Sequence, residues 1–223
     1  SLAAATGGGP VICLDLPGNG KRNRMYSPCR VEAMAEHCHA EVAAIGLGKC
    51  NVLAMSLGAM VTVAWAQRYP EDMDAAVLIN TSLRPFSPFY RRLKPGNYLR
   101  LLRLLATRAG DRELETTIMD ATTRLVPDPA PVIEQWLRWR HENPVSRGNA
   151  LRQLLAAAAY RAPLDPPLKR LLLLAGSGDR LVDCGCSLRL AAQWHVPIML
   201  HPLAGHDLPQ DDAPWVLAQV RSW

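Results

Sequence analysis

At 223 residues, 49% of them hydrophobic and 20% charged, the chain can bury a sizeable core and reads as one domain with room for an inserted subdomain. It holds no uninterrupted apolar stretch of roughly 18 residues, which argues against a transmembrane helix. The net charge of +5 is uneven: residues 83–163 carry 14 basic residues against 7 acids, a net +7, and the remainder carries −2. No interleaving of basic and aromatic residues accompanies that excess, so nucleic-acid binding is set aside.

In chain order, residues 1–10 lack the positive and apolar regions of a signal peptide. Residues 11–14, Val-Ile-Cys-Leu, read as a strand ended by a turn at Pro17-Gly18. Residues 30–45 place Val31, Met34, Ala35, Cys38, Val42 and Ile45 at a helical period, and Gly46-Leu-Gly ends that helix. Residues 49–54 read as a strand, residues 59–68 as a helix stopped before Pro70, and residues 75–79 as another strand. Such alternation predicts an α/β fold, a mostly parallel sheet with helices on both faces.

The pattern changes after Thr81. Residues 100–109, 113–125, 131–141 and 149–160 all read as helices, with no buried strand among them. Strands return at residues 171–175, a continuous apolar run, and in the short stretch before His201.

The chemistry centres on Ser56. An apolar strand meets this serine, flanked by Leu57 and Gly58, and an apolar helix follows. A strand turning sharply into a helix projects the turn residue outward, the arrangement of a nucleophile elbow, G-x-S-x-G. Ala54 stands in place of the first glycine and adds one methyl. Asp179 follows the strand at 171–175 within Gly-Ser-Gly-Asp, and His206 lies in Pro202-Leu-Ala-Gly-His-Asp. The order is Ser, Asp, His, and the 27 residues from Asp179 to His206 leave room for one helix and one strand.

Three blocks, Asp15-Leu-Pro-Gly-Asn-Gly, the elbow at Ser56, and the Asp179 and His206 loops, span the chain from about residue 11 to its end. Together they resemble the α/β-hydrolase-fold serine hydrolases. The resemblance implies a core of residues 1–82 and 164–223 and a helical cap of residues 83–163 inserted over the active site. It also implies ester hydrolysis by a Ser56, His206, Asp179 triad, with the Leu57 N–H in the oxyanion hole and no metal or organic cofactor. Trp136 and Trp139, at i and i+3 on one helix, are candidate substrate contacts, with cap packing as the other reading. Asp183 is the alternative acid. His201 is read as structural, His37 and His39 as lying on or near the surface of the first helix, and Asp207 as too close in sequence to His206 to present its carboxylate to that ring.

The implied substrate is a small-molecule ester. Arg138, Arg140, Arg147 and Arg152 give the cap a basic face that could meet an acidic carrier protein, as in esterases of carrier-protein methyl esters. Members of the resembling family place further strands before the Asp15 block, the last ending in a His-Gly pair that supplies an oxyanion amide. No His-Gly pair precedes Asp15 here. The chain is therefore expected to be an N-terminally truncated member; the alternative pairs the strand at 11–14 directly with the elbow strand. A non-catalytic ligand-binding role stays open on the same ground. Cys13, Cys29, Cys38, Cys50, Cys184 and Cys186 show no metal-ligand spacing, and one glycine between Cys184 and Cys186 would strain a disulfide. Reduced thiols and a cytoplasmic location are expected.

Overall fold

The computed structural model describes residues 9–106 and 110–223. The chain begins with α1 (Val31–Ala44), β1 (Cys50–Met55), α2 (Leu57–Arg68) and β2 (Met73–Ile79). It then runs through five consecutive helices: α3 (Phe89–Arg92), α4 (Tyr98–Ala106), α5 (Asp111–Thr122), α6 (Ala130–Glu142) and α7 (Arg147–Ala159). β3 (Leu171–Gly176), α8 (Gly185–Trp194), β4 (Ile198–His201), α9 (Leu208–Asp211) and α10 (Ala213–Ser222) complete it. The end of the helix expected at residues 100–109 lies outside the described residues.

The four strands form one parallel sheet in the order β1-β2-β3-β4. Parallel strands joined by helical crossovers are covered on both faces, so their side chains are apolar in both directions. β3 shows this fully, with all six residues buried. Ala76, Leu78, Leu171 and Leu173 face a core shared with α1, α2 and α8. Val77, Ile79, Leu172 and Leu174 face Leu208 and Val216 of α9 and α10 on the other side. β1 and β4 stand at the edges and are less buried.

The helices between β2 and β3 divide in their packing. Met119, Ile133 and Leu137 form a small core of their own between α5 and α6, joined by Trp136. Ala156 of α7 and Tyr160 belong instead to the main core.

One expected element is absent. Residues 11–14 form no strand: they join no ladder, and Val11 and Ile12 are 42% and 45% exposed. Their hydropathy suits a strand, but a strand also needs a neighbouring edge to satisfy its backbone N–H and C=O groups. They do not pair with β1; Leu14 and Leu16 pack partly against the main core instead. The smaller sheet with direct pairing is thus not formed.

All six cysteines are free thiols, and burial pushes the Cys38 thiol up to about 11. Among the described residues no helix is long and apolar enough to cross a membrane.

Leu173 is fully buried at the centre of the sheet. Leu173→Ala removes apolar contact and leaves a cavity, so urea denaturation is expected to show a loss of about 2–5 kcal/mol.

Candidate active site

The three triad candidates sit where a parallel sheet places its crevice, beyond the carboxyl ends of the strands. Ser56 follows β1, Asp179 follows β3, and His206 follows β4. A residue less obvious in the sequence, Asn80, follows β2.

Ser56 has φ 53° and ψ −116°, a conformation that non-glycine residues rarely adopt. Such strain persists only where the surroundings enforce it. Here the Ser56 N–H donates to the Ile79 carbonyl at 3.0 Å, while its own carbonyl accepts from Ala59 and Met60 of α2. The alanine at position 54 is accommodated: a Cβ built on Gly58 would lie 3.7 Å from the Ala54 Cβ, an ordinary contact distance. Leu57 opens α2, so its N–H belongs to the first-turn donors that have no partner within the helix. The helix dipole adds partial positive charge at that point.

Asp179 and His206 meet directly. His206 Nδ1 lies 2.7 Å from Asp179 Oδ2, with the two side chains 4% and 1% exposed. A carboxylate accepts, so the hydrogen on Nδ1 points at Asp179 and the Nε2 lone pair is left over. The other carboxylate oxygen accepts from the Leu181 and Val182 N–H groups at 2.7 and 2.9 Å. The loop is held from outside as well, by Lys94 Nζ on the Asp179 carbonyl at 2.5 Å and Asn97 Nδ2 on the Arg180 carbonyl at 2.9 Å. Ser56 makes no hydrogen bond to His206 in this structure; such contacts are often loose without substrate and tighten in the reacting complex.

Asn80 joins these pieces. Its side chain is buried, and its φ of 47° lies in the left-handed region that asparagine tolerates. Its Nδ2 donates to the carbonyls of Gly205 at 3.0 Å and His206 at 2.6 Å. Its Oδ1 accepts from the Gly176 N–H at 2.9 Å. Close approach makes this possible: a Cβ on Gly176 would sit 2.2 Å from the Ala204 carbonyl oxygen. The sequence held one clue, an asparagine directly after an apolar strand, but nothing in it named the partners.

The remaining candidates lie elsewhere. Asp183 accepts from the Gly185 N–H and faces Arg91, with no bond to His206. His201 pairs with Asp212, and its Nδ1 accepts from the Leu203 and Ala204 N–H groups. His39 stacks on Tyr69 and meets Asp72, and His37 faces Glu41. Asp207 caps α9, and burial raises its pKa.

Trp136 and Trp139 line a cavity of about 500 Å³ together with Asp15, Lys21, Arg140 and Asn143. The triad candidates are not among its lining residues. Arg140 is engaged there by the buried carboxylate of Glu115. Among the described residues no group of three His, Cys, Asp or Glu side chains is placed to hold a metal ion.

Replacing Asn80 strands three buried backbone groups at once. Asn80→Ala is expected to cost about 2–4 kcal/mol in urea denaturation, at roughly 1 kcal/mol or more per unsatisfied group. Asn80→Asp keeps the acceptor for Gly176 but turns an acceptor against two carbonyls, and is expected to be no more stable than the alanine variant.

Comparison with known proteins agrees with this architecture. A 2-hydroxy-6-oxononadienedioate/2-hydroxy-6-oxononatrienedioate hydrolase of Burkholderia vietnamiensis is 26% identical over 204 residues, 87% of this chain and 68% of that protein. A thermophilic esterase from Thermogutta terrifontis superposes with a TM-score of 0.69 at 20% identity, covering 94% of this chain and 77% of that one. A 2-hydroxy-6-oxo-6-phenylhexa-2,4-dienoate hydrolase from Rhodococcus superposes with a TM-score of 0.66 at 19% identity, covering 89% and 73%. The pattern of the alpha/beta hydrolase fold family matches residues 2–207, and the chain belongs to that family.

Proposed function

We propose that this hydrolase cleaves carboxylic esters of small molecules through a Ser56–His206–Asp179 triad and an acyl-enzyme intermediate. The observation that carries the reading is the buried His206–Asp179 bond, set beyond the carboxyl ends of the strands, the same end of the sheet that carries a serine in a strained turn.

In this reading Ser56 Oγ attacks the ester carbonyl carbon while His206 Nε2 takes the hydroxyl proton. The tetrahedral intermediate collapses, the C–O bond breaks, and His206 returns the proton to the departing alcohol. Water then attacks the acyl-enzyme with His206 again as base, releasing the acid and restoring Ser56. Asp179 fixes the imidazole tautomer and stabilises the imidazolium. The Leu57 N–H, at the positive end of α2, is the oxyanion donor. Residues 83–163 act as the cap over a core built from the flanking segments; Trp136 and Trp139 line a cavity apart from the triad, which supports cap packing over substrate contact. The basic cap supports an acidic carrier protein less well, because Arg140 is already paired with Glu115.

A second reading has one specific support. The Burkholderia relative and the Rhodococcus structure are both named as hydrolases of 2-hydroxy-6-oxo dienoates, so the same triad would attack a ketone and release a carbon leaving group.

Labelling with a fluorophosphonate, read by mass spectrometry, tests the reading. The label is expected on Ser56, and Ser56→Ala is expected to lose it together with p-nitrophenyl ester turnover, by a factor on the order of 10⁶. A folded protein that takes no label would overturn it. Turnover of a 2-hydroxy-6-oxo dienoate with p-nitrophenyl esters left intact would favour the second reading.

A further inference from the structure

The loop bearing His206 is gripped by the helical insertion as well as by the sheet. Asp211, at the end of α9, accepts three backbone N–H groups on one carboxylate. Its Oδ2 takes the Gly205 N–H at 2.6 Å and the Arg124 N–H at 3.0 Å. Its Oδ1 takes the Arg124 N–H at 2.8 Å and the Leu125 N–H at 2.9 Å. Gly205 directly precedes His206, whereas Arg124 and Leu125 lie just past α5, after its C-cap Thr123. On the other side of the histidine, the Asp207 N–H donates to the Thr122 carbonyl at 2.8 Å. Residues on both sides of His206 are therefore tied to the segment 122–125, Asp207 directly and Gly205 through the Asp211 carboxylate.

The joint is tight. A Cβ on Gly205 would sit 2.6 Å from the Thr122 carbonyl oxygen and 3.0 Å from Arg124 Cγ. It is also chemically specific. All three partners are donors, so a group that only accepts fits, and an amide would turn its NH₂ against one of them. The helix-capping work nearby is done by other carboxylates: Asp207 caps α9 and Asp212 caps α10.

We propose that Asp211 is a positioning residue, coupling the end of α5 to the placement of His206. The inference rests on the reading of His206 as the catalytic base. A displacement of the insertion then moves the histidine along with the wall above it, so closure over a substrate adjusts the base. Asn80 secures the Gly205 and His206 carbonyls from the sheet side, which makes the His206 loop the meeting point of two anchors.

The test compares Asp211→Asn, Asp211→Glu and Asp212→Ala, the last removing the cap of α10 outside this joint. Readouts are kcat and KM for p-nitrophenyl acetate, the fluorophosphonate labelling rate of Ser56, thermal unfolding, and amide hydrogen exchange. Asp211→Asn is expected to lower kcat and the labelling rate about 10²-fold, the cost of a misplaced catalytic group, with KM changed less than about threefold. Exchange at 205–207 and at 122–125 is expected to accelerate together. Asp211→Glu keeps a three-acceptor carboxylate and is expected to fall between; it carries the test if the asparagine variant does not fold. Asp212→Ala is expected to lower the melting temperature with labelling unchanged. Wild-type labelling rates in a folded Asp211→Asn would overturn the inference and leave the serine-hydrolase reading standing. A wild type that takes no label would overturn that reading instead; exchange alone then decides the coupling, and unchanged exchange in Asp211→Asn refutes it.

Discussion

One amide side chain ties the ends of three strands together. Asn80 follows β2, accepts from the last residue of β3, and donates to two carbonyls in the loop after β4. Buried polar groups are costly unless paired, so this cluster has few alternatives once it is dry. The hydrogen bond between His206 and Asp179 follows from it: each residue sits on a short loop whose backbone is already fixed. Ser56 joins the same frame through its bond to Ile79, the residue before Asn80.

The helices between β2 and β3 add a second frame. Lys94 and Asn97 hold the loop of the acid, while Thr122 and the Arg124-Leu125 pair, through Asp211, hold the loop of the histidine. The α5–α6 pair has only a small core of its own, while Ala156 and Tyr160 anchor the far end of the insertion in the main core. A segment attached at both ends and stitched in the middle to the two site loops is well placed to pass small shifts to them.

Much of this was legible in the sequence because it is periodic. The helix at 31–44, the strands at 50–55, 73–79 and 171–176, and the run of helices between them all follow from apolar spacing. The elbow was legible because a serine at a sharp turn carries its own local signature, and the meeting of Asp179 with His206 because both follow strands in the expected order. Residues 11–14 misled for the same reason: Val-Ile-Cys-Leu reports hydropathy, not whether a sheet edge waits for it. Asn80 and Asp211 stayed hidden because their roles depend on partners 96 and 125 residues away for Asn80, and 87 for Asp211. No local pattern marks such a contact. The methyl of Ala54, a departure from the motif, is accommodated by a spacing visible only in three dimensions, with even a Cβ at position 58 lying an ordinary contact distance away.

The central claim is that Asp179 and His206, held in this frame, serve Ser56 as a catalytic unit. The most direct measurement is the steady-state ester hydrolysis of Asp179→Asn, whose amide can keep the bond to His206 but favours the wrong tautomer. A folded protein whose kcat falls by about 10⁴-fold is expected. A folded Asp179→Asn within tenfold of the wild-type rate would contradict it.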